Sequence, residues 1–232
     1  MAKRPVYIPN KTYDFPRVII REIEFKWFPG MSKSQKQKSI ESLHSSSHDL
    51  GIKYILEISS KSENDLGIKL SAFNLTITTK KQRRSFSVET AFQSSKVFEN
   101  GGPYCDLLDV TSQQAKKDIR LKESGNLVKF LFFGKEFSSR PKTLFYDWLY
   151  INALHQNKEL SEKIMDFEAF TDIEFNPQKS LNCQAYSAAL YVSLKRTESI
   201  DEAIESPESF LKILANEYSK RDVTMPIQGI LL

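Results

Sequence analysis

The sequence predicts a single α+β domain that contains more helix than strand and only a small β-sheet. Two observations support this class: short strand patterns alternate with longer helical ones, and no internal repeat or low-complexity linker divides the chain. Of the 232 residues, 40% are hydrophobic and 12% aromatic, which suffices for a core and excludes disorder over the whole length. We expect the domain to span residues 18–232. Residues 1–17 contain three prolines and no hydrophobic period, so they predict an extended N-terminal arm.

Strand patterns occur in four places. Residues 18–27 alternate between two faces, one of which carries Ile23, Phe25 and Trp27. Pro29-Gly30 ends this segment. The other predicted strands are short runs rich in β-branched or aromatic residues, at residues 53–58, 76–79 and 127–133.

Helical patterns occupy six segments: residues 34–43, 87–100, 112–122, 142–164, 182–195 and 207–220. Gly101-Gly102-Pro103 ends the second of them, and Pro141 precedes the longest. The aromatic run around Trp148 in the longest helix is interpreted as core. Two polar stretches, residues 45–48 and 80–84, are expected to be solvated loops.

The composition excludes several classes of protein. Two cysteines exclude a disulfide scaffold and a Cys-only zinc site, and the three histidines form no ligand pattern, so we expect no metal and no other cofactor. No apolar run approaches the roughly 18–20 residues of a membrane span, and the N-terminus lacks the apolar core of a secretory signal. We therefore expect a cytoplasmic protein without a membrane partner. The net charge of +4 is compatible with a polyanionic substrate but does not require one.

One predicted helix, that of residues 87–100, carries the main chemical feature. At about 100° per residue, Glu89, Gln93 and Lys96 fall within roughly 60° of arc. Apolar residues border this stripe on both sides, with Phe92 on one and Val97 on the other. A carboxylate, an amide and an ammonium are thus expected to point together into a partly enclosed space. The alternative is a solvated network of side chains three and four residues apart, worth a few tenths of a kcal/mol.

The same segment resembles a known family. The run from Ser87 to Lys96 is similar to the signature helix of the NADAR family, Ser-Val-Glu-His-x-Phe-Gln-x-x-Lys. Ser71-Ala72-Phe73 resembles that family's Ser-Asn-Phe segment. The C-terminal Asp…Trp-Gly…Asn-x-x-Gly block of the family is matched by Asp172, Phe175 and Asn182. Residues 35–40, 56–62 and 145–150 resemble the branch associated with DarT-type toxins, so the resemblance covers most of residues 18–195.

The sequence departs from the family pattern at three positions. Thr90 stands where the family has His, so that His is not an obligatory catalyst here. Phe175 replaces Trp, and the Gly pair beside it is missing. Lys61 occupies the place of an Arg that should meet phosphates, and a Lys binds phosphate as a point charge without the bidentate fork.

The resemblance implies a YbiA-like domain and an activity. It implies hydrolysis of the N-glycosidic bond between ADP-ribose and guanine in DNA, which would reverse the modification made by a DarT-type toxin and make the protein an antitoxin. Breaking this bond builds oxocarbenium character at the anomeric carbon, which a carboxylate stabilises, and we assign that role to Glu89. Lys96 is assigned either to trap the ring-opened ribose as an imine or to orient Glu89. Gln93 would hold a ribose hydroxyl or Lys96.

Seven further residues are predicted to bind the substrate. Hydroxyls, backbone N–H groups and one cation for the pyrophosphate would come from Ser59, Ser60, Lys61 and Ser71, for which an ordinary polar turn is the alternative. Asp172 and Asn182 are substrate-binding residues by resemblance. Phe73 either packs on the adenine or lies in the core, and the core is favoured.

Two other functions stay open at this point. The protein could be a non-enzymatic antitoxin that sequesters the toxin, or a glycosidase that acts on a free ADP-ribosyl or phosphoribosyl metabolite. The Glu89/Lys96 pair favours the enzyme, because sequestration does not require a buried pair of this kind. The expected partners are ADP-ribosylated DNA, ADP-ribose and the cognate toxin.

Overall fold

The computed structural model describes residues 1–10, 15–79 and 83–224, and it confirms the predicted α+β class. The strands are short, apart from the first two. Their bounds are Ala2–Pro9 (β1), Val18–Phe25 (β2), Ile55–Glu57 (β3), Thr76–Thr78 (β4), Ser85–Ser87 (β5), Lys96–Phe98 (β6), Leu127–Phe132 (β7), Lys135–Ser138 (β8) and Ala169–Thr171 (β9).

Helices contain more of the described residues than strands do. The α-helices are Lys33–Asp49 (α1), Asp65–Lys69 (α2), Val88–Ser94 (α3), Ser112–Lys117 (α4), Arg120–Glu123 (α5), Leu144–Gln156 (α6), Lys158–Lys163 (α7), Gln184–Arg196 (α8), Ile200–Glu205 (α9), Pro207–Ile213 (α10) and Ala215–Thr224 (α11). Short 3-10 helices occur at Cys105–Asp109 and Ile164–Asp166.

The strands form three small sheets. The largest has the order β2-β1-β9-β3, and the other two are the β4-β5 hairpin and the antiparallel β6-β7-β8 sheet. In the largest sheet β3 and β9 run parallel, with Leu56 opposite Phe170. Because the ends of parallel strands meet at one edge, the segments that follow β3 and β9 lie side by side although more than a hundred residues separate them.

The N-terminal segment corrects the expectation of an arm. Ala2–Pro9 is not a free extension but a strand that pairs with β2 along its whole length and meets β9 at Tyr7. The prolines at positions 5 and 9 are tolerated because β9 is only three residues long, so most of that side of β1 has no strand neighbour among the described residues. Residues 11–14 of the expected arm and 225–232 of the expected domain lie outside the described residues.

Several predicted helices have different bounds. The helix α1 continues through residues 45–48, which were expected to be a loop, because Ser47 turns its hydroxyl inward onto the Leu43 carbonyl at 2.7 Å. The segment 142–164 divides at Asn157, whose side chain caps α7. The segment 207–220 divides at Leu214. In the expected loop 80–84, residues 80–82 lie outside the described part of the chain.

The core centres on α6 and α8, which are buried along most of their length. Asp147 of α6 accepts hydrogen bonds from the hydroxyls of Ser187 on α8, at 2.6 Å, and of Tyr218 on α11, at 3.1 Å. Trp148 is buried against Phe137, as the sequence predicts. This core fixes the site described next, because Phe145 of α6 stacks on Phe92 of α3 with ring centroids 6.1 Å apart.

Candidate active site

All ten residues that the sequence predicts as site residues line one cavity of about 640 Å³. Its walls include the turn after β3, the loop before β4, the helix α3, the loop after β9 and the start of α8, and residues of β6, α4 and α6 also line it. The ten residues are Ser59, Ser60, Lys61, Ser71, Phe73, Glu89, Gln93, Lys96, Asp172 and Asn182. Their roles stay predictions, whereas their convergence is a property of the structure.

The helix α3 presents the carboxylate. Ser87 caps the helix by accepting the Thr90 N–H at 3.0 Å, and the Glu89 N–H donates to the Ala72 carbonyl at 2.9 Å, so the first turn is tied to the loop before β4. Glu89 is only 6% exposed. Its Oε1 accepts a hydrogen bond from Gln93 Nε2 at 2.9 Å, which fixes the carboxylate at the cavity wall.

Lys96 reaches the cavity from a strand rather than from the helix. The predicted helix of residues 87–100 ends at Ser94, where the hydroxyls of Ser94 and Ser95 turn back onto the Ala91 carbonyl at 3.1 and 2.6 Å. Lys96 opens β6 opposite Phe130. The expectation that Glu89 and Lys96 share a helical arc is therefore wrong, although both side chains do line the same cavity.

The surroundings of Lys96 favour its neutral form. Burial lowers the pKa of its ammonium to about 8; the charge of Glu89 acts in the opposite direction, and the charge of Lys116 lowers the pKa further. The ammonium lies over the Phe92 ring, 4.8 Å from its centroid. An amine with such a pKa has a substantial neutral fraction near physiological pH, which is the form that attacks carbonyl carbons.

The serine turn after β3 rests on a buried carboxylate that the sequence analysis missed. Glu57, at the end of β3, accepts the Thr171 hydroxyl at 2.6 Å and the Ile173 N–H at 2.8 Å, and the Ser59 hydroxyl also bonds to it. Burial raises the pKa of the Glu57 carboxyl. Glu57 thus joins the turn containing Ser59 and Lys61 to the loop after β9. A charged residue inside an otherwise apolar strand was the available sequence signal.

The loop after β9 forms the opposite wall. The Asp172 Oδ1 accepts the N–H groups of Glu174, at 3.0 Å, and Phe175, at 3.1 Å, so the side chain folds this loop into a turn. Burial, together with the nearby charge of Glu57, raises the pKa of Asp172. Gln184 was also missed: it accepts the Ala72 N–H and donates to the Ile58 carbonyl, both at 2.7 Å, and so ties three walls together.

Three buried polar atoms in the cavity wall have no hydrogen-bond partner in the described chain: Ser71 Oγ, Gln93 Oε1 and Asn182 Oδ1. A buried polar atom without a partner costs about 1–3 kcal/mol. Such atoms gathered around one cavity are available as hydrogen-bond partners to water or to a polar ligand that enters it. They comprise one hydroxyl and two amide oxygens, a set suited to sugar hydroxyls and amino groups.

The position of Phe73 corrects the expectation of a core residue. Its side chain is half-buried and lines the cavity, with the Lys116 ammonium 5.2 Å from the ring centroid. Lys116 and its neighbour Gln113, both on α4, are further lining residues that the sequence analysis did not identify. Phe175, by contrast, is almost wholly buried at the base of the opposite wall.

A comparison with known families bears on this site. The sequence model of a family described as DarT1-associated NADAR antitoxin matches residues 2–224. The chain belongs to this family. No curated protein matches the chain. The NADAR match includes β1, in agreement with the place of that strand inside the sheet.

The position at which the NADAR signature has His is structural in this chain. The Thr90 hydroxyl lies 3.0 Å from both the carbonyl oxygen and the side-chain oxygen of Ser87, so it belongs to the cap of α3 and does not line the cavity. Thr90 therefore supplies no polar group to the NADAR site. Glu89, Gln93 and Lys96 remain as the polar residues of the signature segment that do.

The described residues contain neither a metal-binding cluster nor a membrane-spanning helix. Within residues 1–10, 15–79 and 83–224, no group of three or more His, Cys, Asp or Glu side chains is placed to hold a metal ion. In the same part of the chain no helix is both long and apolar enough to cross a membrane. Cys183 is buried and Cys105 is exposed, and neither forms a disulfide.

Proposed function

We propose that this NADAR antitoxin is an N-glycosidase that removes ADP-ribose from guanine bases in DNA and so reverses the modification made by a DarT-type toxin. One observation carries the proposal. The buried carboxylate of Glu89 and the low-pKa ammonium of Lys96 face one cavity, whose wall contains three polar atoms without partners in the described chain.

Glu89 is suited to stabilise the charge that develops on the sugar. As the bond from the anomeric carbon to the guanine nitrogen breaks, the electron pair leaves with guanine and positive charge builds on the ribose ring. A carboxylate that is 6% exposed acts on that charge more strongly than one in water. Gln93 holds one carboxylate oxygen through its Nε2, and its unpartnered Oε1 is available to a ribose hydroxyl.

Lys96 offers a covalent route to the same product. With a pKa of about 8, roughly a tenth of its amine is neutral at pH 7. The amine nitrogen would bond to the anomeric carbon as guanine departs, and the ring oxygen would then leave that carbon and take a proton, which gives an imine. Water adds to the imine, the amine leaves, and ADP-ribose is released. In the rival route, Glu89 assists direct attack by water and Lys96 shapes the pocket.

The turn after β3 is proposed to hold the pyrophosphate. Ser60 offers a hydroxyl donor, both serines offer backbone donors, and Lys61 adds a half-buried cation at the same cavity wall. The Lys61 N–H donates to Ser59 Oγ at 3.1 Å, while the Ser59 hydroxyl bonds to Glu57, so the turn is held in shape before a ligand arrives. A preorganised set of donors binds an anion without a further ordering cost.

The decisive experiment supplies the protein with a single-stranded oligonucleotide that carries one ADP-ribosylated guanine. We expect release of free ADP-ribose and recovery of the unmodified oligonucleotide mass. A parallel reaction with the ADP-ribosylated guanosine nucleoside tests the metabolite alternative, which predicts a preference for the nucleoside. Titration of the protein against purified toxin tests sequestration. Tight toxin binding without any release of ADP-ribose would reject the enzymatic proposal.

A further inference from the structure

The rim of the cavity contains residues that have no role in the proposed catalysis or in pyrophosphate binding. Phe73, Gln113 and Lys116 form this rim, and both α4 residues in it are exposed although they line the cavity. Resting on the function proposed above, we infer that this rim is where the DNA strand leaves the cleft, and that Lys116 binds a backbone phosphate next to the modified nucleotide.

The charge of Lys116 is available to an external anion. The described residues place no carboxylate within ion-pair distance of its ammonium, unlike Arg84, which pairs with Asp109, or Arg120, which pairs with Asp106 and Asp118. The contact that Lys116 does make is with the Phe73 ring, at 5.2 Å. A cation above an aromatic ring at the mouth of a cleft is a combination that suits single-stranded nucleic acid, where phosphates need cations and bases stack on rings.

The rim is held firmly in place. Thr111 and Gln114 form a reciprocal capping box at the start of α4, and Ala115 is fully buried. The Ser112 hydroxyl lies 2.9 Å from the Phe73 carbonyl oxygen and 2.7 Å from the Ser87 side chain, which caps α3. The helix that carries Lys116 is thereby fixed to both the Phe73 loop and the helix that carries Glu89.

The proposed substrate has two anionic parts, and we assign each to a different lysine according to how deeply that lysine is buried. The pyrophosphate lies within ADP-ribose and enters the cleft, where the half-buried Lys61 stands beside Ser59. The phosphodiester backbone stays outside and meets solvent, and Lys116 is the exposed cation of the cavity rim. Free ADP-ribosyl-guanosine has a pyrophosphate but no backbone, so contacts at the rim would favour DNA over the nucleoside.

The test compares Lys116→Ala with Lys117→Ala, which removes a neighbouring exposed lysine that does not line the cavity. Binding of a fluorescein-labelled single-stranded oligonucleotide is measured by anisotropy over a series of salt concentrations. Lys116→Ala should weaken binding about three- to tenfold and lower the slope of log K against log salt by about 0.7, the value for one phosphate of a single strand. Lys117→Ala should leave the affinity within about twofold of the wild type and the slope unchanged.

The same variants are then assayed on the modified oligonucleotide and the modified nucleoside. Loss of the Lys116 charge changes the pKa of Lys96 equally with both substrates. The informative quantity is therefore kcat/KM for the modified oligonucleotide divided by kcat/KM for the modified nucleoside. We expect this ratio to fall about fivefold or more in Lys116→Ala and to recover in Lys116→Arg. Equal binding losses in the two alanine variants, or an unchanged ratio, would overturn the inference. If Lys116→Ala alone loses oligonucleotide binding as expected but the wild type releases no ADP-ribose, the proposed function is rejected while the rim contact is supported.

Discussion

Gln93 and Glu89 are joined by a hydrogen bond of 2.9 Å, which uses the amide nitrogen of Gln93 and leaves its amide oxygen without a partner among the described residues. One carboxylate oxygen is therefore fixed and one amide oxygen faces the cavity. Both groups are buried, so neither gains the hydration that would compensate for a missing contact. The pair thus presents a fixed carboxylate and a free amide oxygen to any polar ligand that enters the cavity.

The first prediction concerns the charge of Glu89. Glu89→Gln preserves the shape of the side chain and removes its charge, and it should lower the rate of ADP-ribose release by at least about 100-fold while the protein stays folded. Release is measured with the modified oligonucleotide, and folding by thermal melting. The exposed Glu123 provides a matched control, since Glu123→Gln should keep full activity. Near-normal turnover by folded Glu89→Gln would refute the assignment.

The second prediction separates the two chemical routes. Borohydride reduces an imine to a stable amine, so trapping during turnover should add the mass of ADP-ribose to the peptide that contains Lys96. Activity should also rise with pH between about 7 and 9, because the amine must be neutral to attack and its pKa is about 8. If the active enzyme gives no adduct and Lys96→Ala still turns over, direct attack by water is the route.

The third prediction locates the pyrophosphate. Lys61→Ala should weaken ADP-ribose binding by roughly 1.5–3 kcal/mol, the contribution of a charge-assisted contact, as measured by titration calorimetry. Lys53→Ala is the control, because Lys53 is exposed and lies away from the cavity. Equal affinities of the wild type and Lys61→Ala would place the phosphates elsewhere in the cleft.

The fourth prediction concerns stability and pH. Burial raises the pKa of Asp172 to about 8, so between the unfolded value near 4 and the folded value the native state binds a proton that the unfolded chain releases. The contribution of the protonated Asp172 carboxyl to the free energy of unfolding is fully present at low pH and is lost as the pH rises towards 8. Asp172→Asn keeps the oxygen that accepts the Glu174 and Phe175 N–H groups, and it should flatten the decline of Tm between about pH 5 and 8.

The outcome of that experiment is read as a difference between two proteins. Comparing thermal melting of the wild type and Asp172→Asn at a series of pH values removes the contributions of groups that do not interact with Asp172, so the difference reports Asp172 together with the neighbouring Glu57. The lowered pKa of Lys96 affects stability in a different pH range, above about pH 8, where it makes the free energy of unfolding rise with pH. Parallel curves for the two proteins below pH 8 would show that Asp172 ionises normally in the native state.

Part of the site followed from local sequence alone. Glu89 and Gln93 are four residues apart, which places them on one helical face whatever the rest of the fold does. The start of this helix near residue 87 and the burial of the aromatic run around Trp148 were likewise predicted, because helix periodicity and continuous burial have local sequence patterns. The end of α3 was missed because Ser94 and Ser95 replace helical contacts by side-chain bonds to the Ala91 carbonyl, a choice that no periodicity reveals.

The sequence by itself determined the α+β class, the start of α3 and the types of chemical group available to the site. Only the tertiary structure decided that Lys96 enters the cavity from a strand and that Glu57 and Gln184 tie the walls together. The parallel pairing of β3 with β9 brings the Ser59 turn beside Asp172, more than a hundred residues later. Such pairings depend on the packing of the whole chain, whereas helix periods and caps depend on neighbours within a few residues, and this difference separates what could be predicted from what had to be seen.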